Sequence, residues 1–198
     1  GEPTDLKPVR MHKGMMMEAV TVTGHSGHSS NPALGRNALE GMQQVMADLL
    51  AFRDELAARH RNPLFEVEVP TLNLGCIHGG DNPNRICGAC ELHFDLRPLP
   101  GMPLDELRAT IRERLARIAD ATGLGITMRS LFPGLQPFAE DAGAAIVRAA
   151  EEFTGYRAGS VAFGTESPLL QRLGMQTVVL GPGSIRQAHQ ADEYVELS

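Results

Sequence analysis

Three stretches of this sequence, and one residue near its start, hold side chains whose types and spacing could do chemistry. The first stretch is Gly24-His25-Ser26-Gly27-His28-Ser29-Ser30-Asn31-Pro32. Its composition makes it a loop, and a loop imidazole is commonly a plain surface group. Aimed at a substrate oxygen, His28 would instead donate to developing negative charge. The second is Gln187-Ala188-His189-Gln190-Ala191-Asp192-Glu193, which follows the glycine turn Gly181-Pro182-Gly183-Ser184. An imidazole there, with carboxylates close behind it, suits metal ligation. The third is Cys87-Gly88-Ala89-Cys90-Glu91-Leu92-His93, which has the look of a zinc-knuckle fragment. On a strand, Cys87 and Cys90 would point to opposite faces, and no second Cys or His pair completes a tetrahedron. Buried, unreactive thiols are therefore the expectation. Glu2 completes the set. Pro3 holds it extended, and a carboxylate at a strand end can ligate a metal; a frayed terminus is the plainer reading.

The elements that must position these residues follow from periodicity. Ala19-Val20-Thr21-Val22-Thr23 alternates and is β-branched, which predicts a strand. Leu39, Met42, Val45, Met46, Leu49 and Leu56 recur at helical spacing after the histidine loop. Residues Thr71 to Ile77 read as a strand closed by the turn-rich His78-Gly79-Gly80-Asp81-Asn82-Pro83-Asn84. From Ile86 to Leu96 the pattern alternates again, with Glu91, His93, Asp95 and Arg97 on the face opposite the apolar residues. Leu104, Leu107, Ile111, Leu115 and Ile118 trace a second helix ended by Gly123, and Gly125 to Leu131 is a short strand. The order strand, helix, strand, strand, helix, strand over residues 15–132 is the ferredoxin-like split βαβ arrangement. Beyond it, Ala142 to Phe153 reads as helix, Ser160 to Phe163 as a short strand, and Gln176 to Leu180 as an apolar buried strand. That tail needs partner strands from elsewhere.

Bulk properties narrow the function. A chain of 198 residues can bury a real core. Its formal net charge of −6 disfavours nucleic acid and anionic membranes, which both want a basic face. Three cysteines without a secretory leader point to a reducing cytoplasm rather than a disulfide framework. No apolar run is long enough to span a bilayer. Gly1 in place of Met carries the expectation of a cut chain.

Five segments occur in order: Gly1-Glu2-Pro3-Thr4, Ser26-Gly27-His28-Ser29-Ser30, Asn84-Arg85-Ile86-Cys87, Phe94-Asp95-Leu96-Arg97-Pro98-Leu99-Pro100-Gly101, and Gly181-Pro182-Gly183-Ser184-Ile185 running on to His189 and Tyr194. Together they resemble the aminoacylase and carboxypeptidase family of di-zinc metallohydrolases over essentially the whole chain. The resemblance implies an α/β protein in three pieces: a ferredoxin-like lid and dimerisation domain over residues 15–132, inserted into an incomplete zinc-dependent exopeptidase-like catalytic domain formed by residues 1–14 and 133–198. It implies that Glu2 and His189 ligate metal, and that His28 reaches across a homodimer to steady an oxyanion. By the same resemblance Asn84 and Arg97 hold a substrate carboxylate, while Gly164, Thr165 and Gly183 line the pocket.

The family's His-x-Asp motif, bridging Asp and Glu-Glu pair have no counterpart here, so the chain reads as an inactive piece with no specific metal of its own. The intact enzyme would carry two zinc ions, or cobalt. It would hydrolyse a small N-acylated amino acid, N2-acetyl-L-ornithine first, within arginine biosynthesis. Succinyl-diaminopimelate, or another acyl-amino acid, is the near alternative. His12-Lys13-Gly14 sits where desuccinylases tend to carry paired arginines, and His12 weighs against that alternative. A non-catalytic dimerisation module is the rival from a different class.

Overall fold

The computed structural model describes residues 1–188 and 190–195. Two sheets organise them. Strand β1 (Val9–His12) belongs to the smaller sheet, and β2 (Met16–Thr23) opens the larger one. Helix α1 (Ala38–Arg59), β3 (Thr71–Gly79), β4 (Ala89–Arg97), α2 (Leu104–Thr122) and β5 (Gly125–Ser130) complete the larger unit. The chain then returns to the smaller sheet through β6 (Phe138–Ala139), α3 (Ala145–Thr154), β7 (Gly159–Val161) and α4 (Ser167–Arg172).

The larger sheet is antiparallel in the order β3-β4-β2-β5. That is the ferredoxin-like order anticipated from the element sequence. Alternation decides its faces. Val20, Val22, Cys90, Leu92, Phe94 and Leu96 point into a core shared with Met42, Val45, Leu49 and Phe52 of α1 and with Leu107, Ile111 and Leu115 of α2. Helix α1 begins at Asn37, whose side-chain oxygen accepts from Leu39 N. Helix α2 ends at Gly123, whose φ of 66° is the left-handed conformation that glycine tolerates.

One charge breaks the apolar pattern. Glu18 lies on the helix side of β2 and is fully buried. Arg108 Nε on α2 donates to it at 2.8 Å, and Ser130 Oγ donates at 2.8 Å to its other oxygen. The chain passes between the sheets at residues 13–15 and 131–137, where Met15 and Leu135 form a bridge. A Cβ on Gly14 would come within 2.9 Å of Leu135 O and of Pro137 Cδ, so only glycine fits the crossing.

Several elements differ from the periodicity reading. Strand β2 starts at Met16 rather than Ala19, and β4 starts at Ala89 rather than Ile86. Cys87 therefore precedes the strand, and it shares one core with Cys90 instead of facing away from it. Both thiols are free and buried, and burial pushes the Cys90 thiol up. Helix α3 starts at Ala145, three residues later than expected. Segment 176–180 is not a strand; only Val179 pairs, with Val9. The reason is space: β6 already occupies Met11 and His12 on that edge of β1. The Thr177 backbone N–H is taken by Glu140 Oε2 at 2.9 Å instead.

The buried ion pair yields a stability prediction. Glu18→Ala leaves Arg108 without its buried partner and should lower the unfolding free energy by about 3–5 kcal/mol. Glu18→Gln, which keeps hydrogen-bonding oxygen and shape, should cost less than half as much. Urea denaturation followed by far-UV circular dichroism measures both.

Candidate active-site elements

Sequence-distant residues gather in three places. The first is where the two ends of the chain meet. Thr4 N donates to Gly181 O at 3.2 Å, Asp5 N to Gly183 O at 2.8 Å, and Gly181 N to Thr4 Oγ1 at 3.3 Å. A Cβ on Gly181 would stand 2.5 Å from Glu2 O, so glycine there lets the two backbones touch. Gly183 has a φ of 79° and packs against Pro3 and Val195. Glu2 is half-buried beside this turn. His189 lies outside the described residues, five positions after the turn's Ser184. Among the described residues, no three His, Cys, Asp or Glu side chains are grouped to hold a metal ion.

The second place is the far end of the larger sheet. The loop after β2 is exposed yet closely held. Gly24 N donates to Gly88 O at 2.9 Å, Ile86 N to Gly27 O at 2.8 Å, and Ser29 N to Asn84 O at 3.0 Å. His28 bridges Arg85, so His28 and Asn84 project from adjacent, cross-linked backbone. The close pairing needs small residues. A Cβ on Gly24 would meet Arg36 O at 2.0 Å, and one on Gly35 would meet His25 O at 2.4 Å.

The third place is the crossing between sheets. Arg97 ends β4, and Pro98 O accepts from Gly14 N at 2.9 Å. Gly164 sits against Leu135, and Thr165 is buried next to it. Arg97 Nε donates to Asp95 Oδ2 at 2.7 Å, while Asp95 Oδ1 is buried and has no hydrogen-bond partner among the described residues. The structure thus separates two residues that the sequence reading had grouped. Asn84 and Arg97 flank a nine-residue strand. At about 3.3 Å per residue β4 runs about 26 Å, so one chain cannot close both on one carboxylate.

His12, whose position weighed against a desuccinylase, is fully buried, and Lys13 Nζ donates to Val69 O at 2.7 Å. This segment consequently says nothing about an extra substrate carboxylate. Burial lowers the Lys13 ammonium from its usual range. His12 does structural work at the third place. Its Nδ1 faces Lys13 O at 2.8 Å, and its Nε2 accepts from Thr165 N at 3.3 Å. Those partners fix a neutral ring with the proton on Nδ1, and burial lowers its pKa. The ring also packs on Phe138, with centroids 5.3 Å apart. Two neighbouring histidines of the sheet's outer face are engaged differently. His93 Nε2 lies 2.7 Å from Glu91 Oε1, and Cys76 Sγ lies 2.9 Å from His78 Nε2. Hydrogen bonds from His93, Thr21 and Arg129 hold Glu91 at about 2.

A ferredoxin-like sheet with two helices on one face, spliced between the strands of a second sheet, is the form of a peptidase dimerisation domain. The profile of the peptidase dimerisation domain family matches residues 10–122, and the chain belongs to that family. It is 49% identical over 195 residues to the acetylornithine deacetylase of Edwardsiella ictaluri, covering 98% of this chain and 51% of that one. It is 48% identical to the acetylornithine deacetylase of Aliivibrio salmonicida over 198 residues, 100% of this chain and 52% of that one. The chain spans about half the length of the curated relatives it matches. Among solved structures, a tripeptidase from Staphylococcus aureus superposes with a TM-score of 0.62 at 21% identity, over 92% of this chain and 47% of its own. A hydantoinase/carbamoylase family amidase from Burkholderia ambifaria gives 0.58 at 20% identity, over 79% and 37%. These two likenesses are of fold. Among the described residues no helix is long and apolar enough to cross a membrane.

The buried imidazole makes a pH prediction. Its pKa is depressed in the folded state, so the unfolded chain takes up the proton more readily. The stability that His12 contributes is then complete above about pH 6.5 and declines as pH falls below it. Glu91 contributes the same sign of dependence only below about pH 4.5, outside the range of interest. His12→Phe should be less stable than the parent at about pH 7.5, with the gap narrowing by about pH 5. Urea midpoints across that range test it; a gap independent of pH would refute the assignment.

Proposed function

We propose that this chain is the lid and part of the catalytic domain of a metal-dependent amidohydrolase that removes the acetyl group from N2-acetyl-L-ornithine. The 48–49% identity to acetylornithine deacetylases, over 98–100% of this chain and 51–52% of theirs, supports that substrate. Residues 15–132 would form the lid, and residues 1–14 with 133–198 part of the catalytic domain. Arginine biosynthesis in the cytoplasm is the setting this substrate implies, and three free thiols accord with a reducing compartment.

One observation carries the mechanism: His28 and Asn84 sit together at one end of the larger sheet, while Arg97 ends β4 at the other, beside the crossing that Gly164 and Thr165 adjoin. A single chain cannot bring both groups to one substrate. A dimer can, if each lid offers its far end to the partner's site. In this reading Arg97 grips the α-carboxylate from within its own protomer, its planar fork pairing two oxygens. Gly164 and Thr165, held by His12, line the pocket wall. His28 of the partner donates to the developing oxyanion, a contact typically worth about 3–4 kcal/mol, and Asn84 of the partner adds a second polar contact.

The metal site fits this chain only in part. The paired turn holds Glu2 as one carboxylate donor, with His189 as the second ligand expected from the sequence. Two such ligands cannot hold two ions, and the remaining donors and the general base would come from the other half of the enzyme. Bound zinc, or cobalt, would acidify a water and polarise the amide carbonyl. The isolated chain should show neither hydrolysis nor stoichiometric tight zinc.

Mixed dimers test the arrangement. His28→Ala and Arg97→Ala should each cripple the full-length homodimer. Co-refolded one to one, they should recover about a quarter of wild-type activity, because half the dimers are mixed and each mixed dimer has one intact site. No recovery would mean that both residues serve the same protomer's site.

A further inference from the structure

We infer that Asp95 is a positioning residue that aims the Arg97 guanidinium at the substrate's α-carboxylate, an inference that rests on the reading of Arg97 just given. The two side chains lie two residues apart on β4, on the sheet face away from the helices, at 28% and 27% exposure. They are within reach of a ligand yet restrained.

The contact geometry is one-sided. Arg97 uses only Nε, at 2.7 Å from Asp95 Oδ2. Its two terminal nitrogens make no hydrogen bond among the described residues. A carboxylate is best gripped by a planar pair of guanidinium N–H groups. With Nε tied down, the terminal nitrogens remain on offer in a fixed plane.

Two other well-covered arginines show what a purely structural guanidinium looks like. Arg114 gives all of its nitrogens to Asp48 and Glu55 and stacks over Phe52. Arg108 is divided among Glu18, Asp105 and Pro133 O. Neither has nitrogens left for a ligand. Arg97 does.

Asp95 is equally single-minded. Its cross-strand neighbours are Asn73 and Met17, and neither donates to it. Its Oδ1 is out of water with no donor among the described residues. Contrast Glu91, four residues earlier on the same face, which is shared by His93, Thr21 and Arg129. The Asp95 charge therefore acts on Arg97 alone, and a neutral side chain there would let the guanidinium swing.

The experiment uses the full-length enzyme with its metals bound. N2-acetyl-L-ornithine is compared with the analogue whose α-carboxylate is a carboxamide, in wild type, Asp95→Asn, Asp95→Ser, Asp95→Glu, Arg97→Ala and Asp95→Asn/Arg97→Ala. Asp95→Asn should raise KM for the carboxylate substrate about tenfold with kcat within about twofold, and leave the carboxamide unchanged. Asp95→Ser should behave alike, Asp95→Glu should restore part of the loss, and the double variant should match Arg97→Ala. Circular dichroism melts check that each variant is folded. If Arg97→Ala keeps the preference for carboxylate over carboxamide, the reading of Arg97 itself falls. If Arg97→Ala abolishes that preference while folded Asp95→Asn and Asp95→Ser both retain it, the positioning role of Asp95 is overturned.

Discussion

The antiparallel pairing of β2 with β4 is the constraint on which the rest of this structure depends. It runs without a break from Met16 opposite Leu96 to Thr23 opposite Ala89. That register puts Val20, Val22, Cys90, Leu92, Phe94 and Leu96 on one face, where two helices cover them. The same register sends Glu91, His93, Asp95 and Arg97 to the other face, because side chains alternate along a strand. A slip of one residue would exchange the two sets, placing four ionisable groups under the helices. The pairing also sets a distance. It is a stiff spacer between the His28–Asn84 end and the Arg97 end, and that stiffness makes a two-chain site the natural reading.

A second constraint is topological. The larger sheet and its two helices enclose one core, whereas the smaller sheet joins strands from both ends of the chain. Thr4 and Gly181 hydrogen-bond across 177 positions of the chain. Contacts of such sequence separation carry a high loop-closure cost and reward it late. The crossing at Gly14, Met15 and Leu135 is where the two systems are joined. It is tightly packed, which suits a junction that must hold Arg97 and the Gly164–Thr165 loop in fixed relation.

Three buried polar side chains lie at these joints, and each of the three is satisfied in its own way. Glu18 and Arg108 pin the sheet to α2 as a charge pair. His12 ties β1 to the loop at Thr165 as a neutral ring. Lys13 donates to the backbone carbonyl of Val69, with its ammonium 5.9 Å from the centre of the Phe65 ring. A buried donor or acceptor left unpaired is destabilising, so these three contacts fix geometry more than they add strength.

Periodicity and turn chemistry marked the strands and helices of the larger sheet, though not every boundary. Alternation through Leu96, helical spacing from Leu39 to Leu56, and Gly123 as a stop all report local physics that the chain carries with it. The same signals failed where partners decide the outcome. Gln176 to Leu180 is apolar enough for a strand, but β6 leaves it only Val9 to pair with. β1 is short and interrupted by Arg10, so no period marks it. Site residues divide the same way. The types and order of Glu2, His28, Asn84 and Arg97 are visible in one dimension. Their grouping is not, because it depends on which loops cross-link and how far apart one rigid strand holds its ends. The contacts of His12 with Thr165 and of Asp95 with Arg97 were hidden for the same reason: only the folded backbone decides whether they exist.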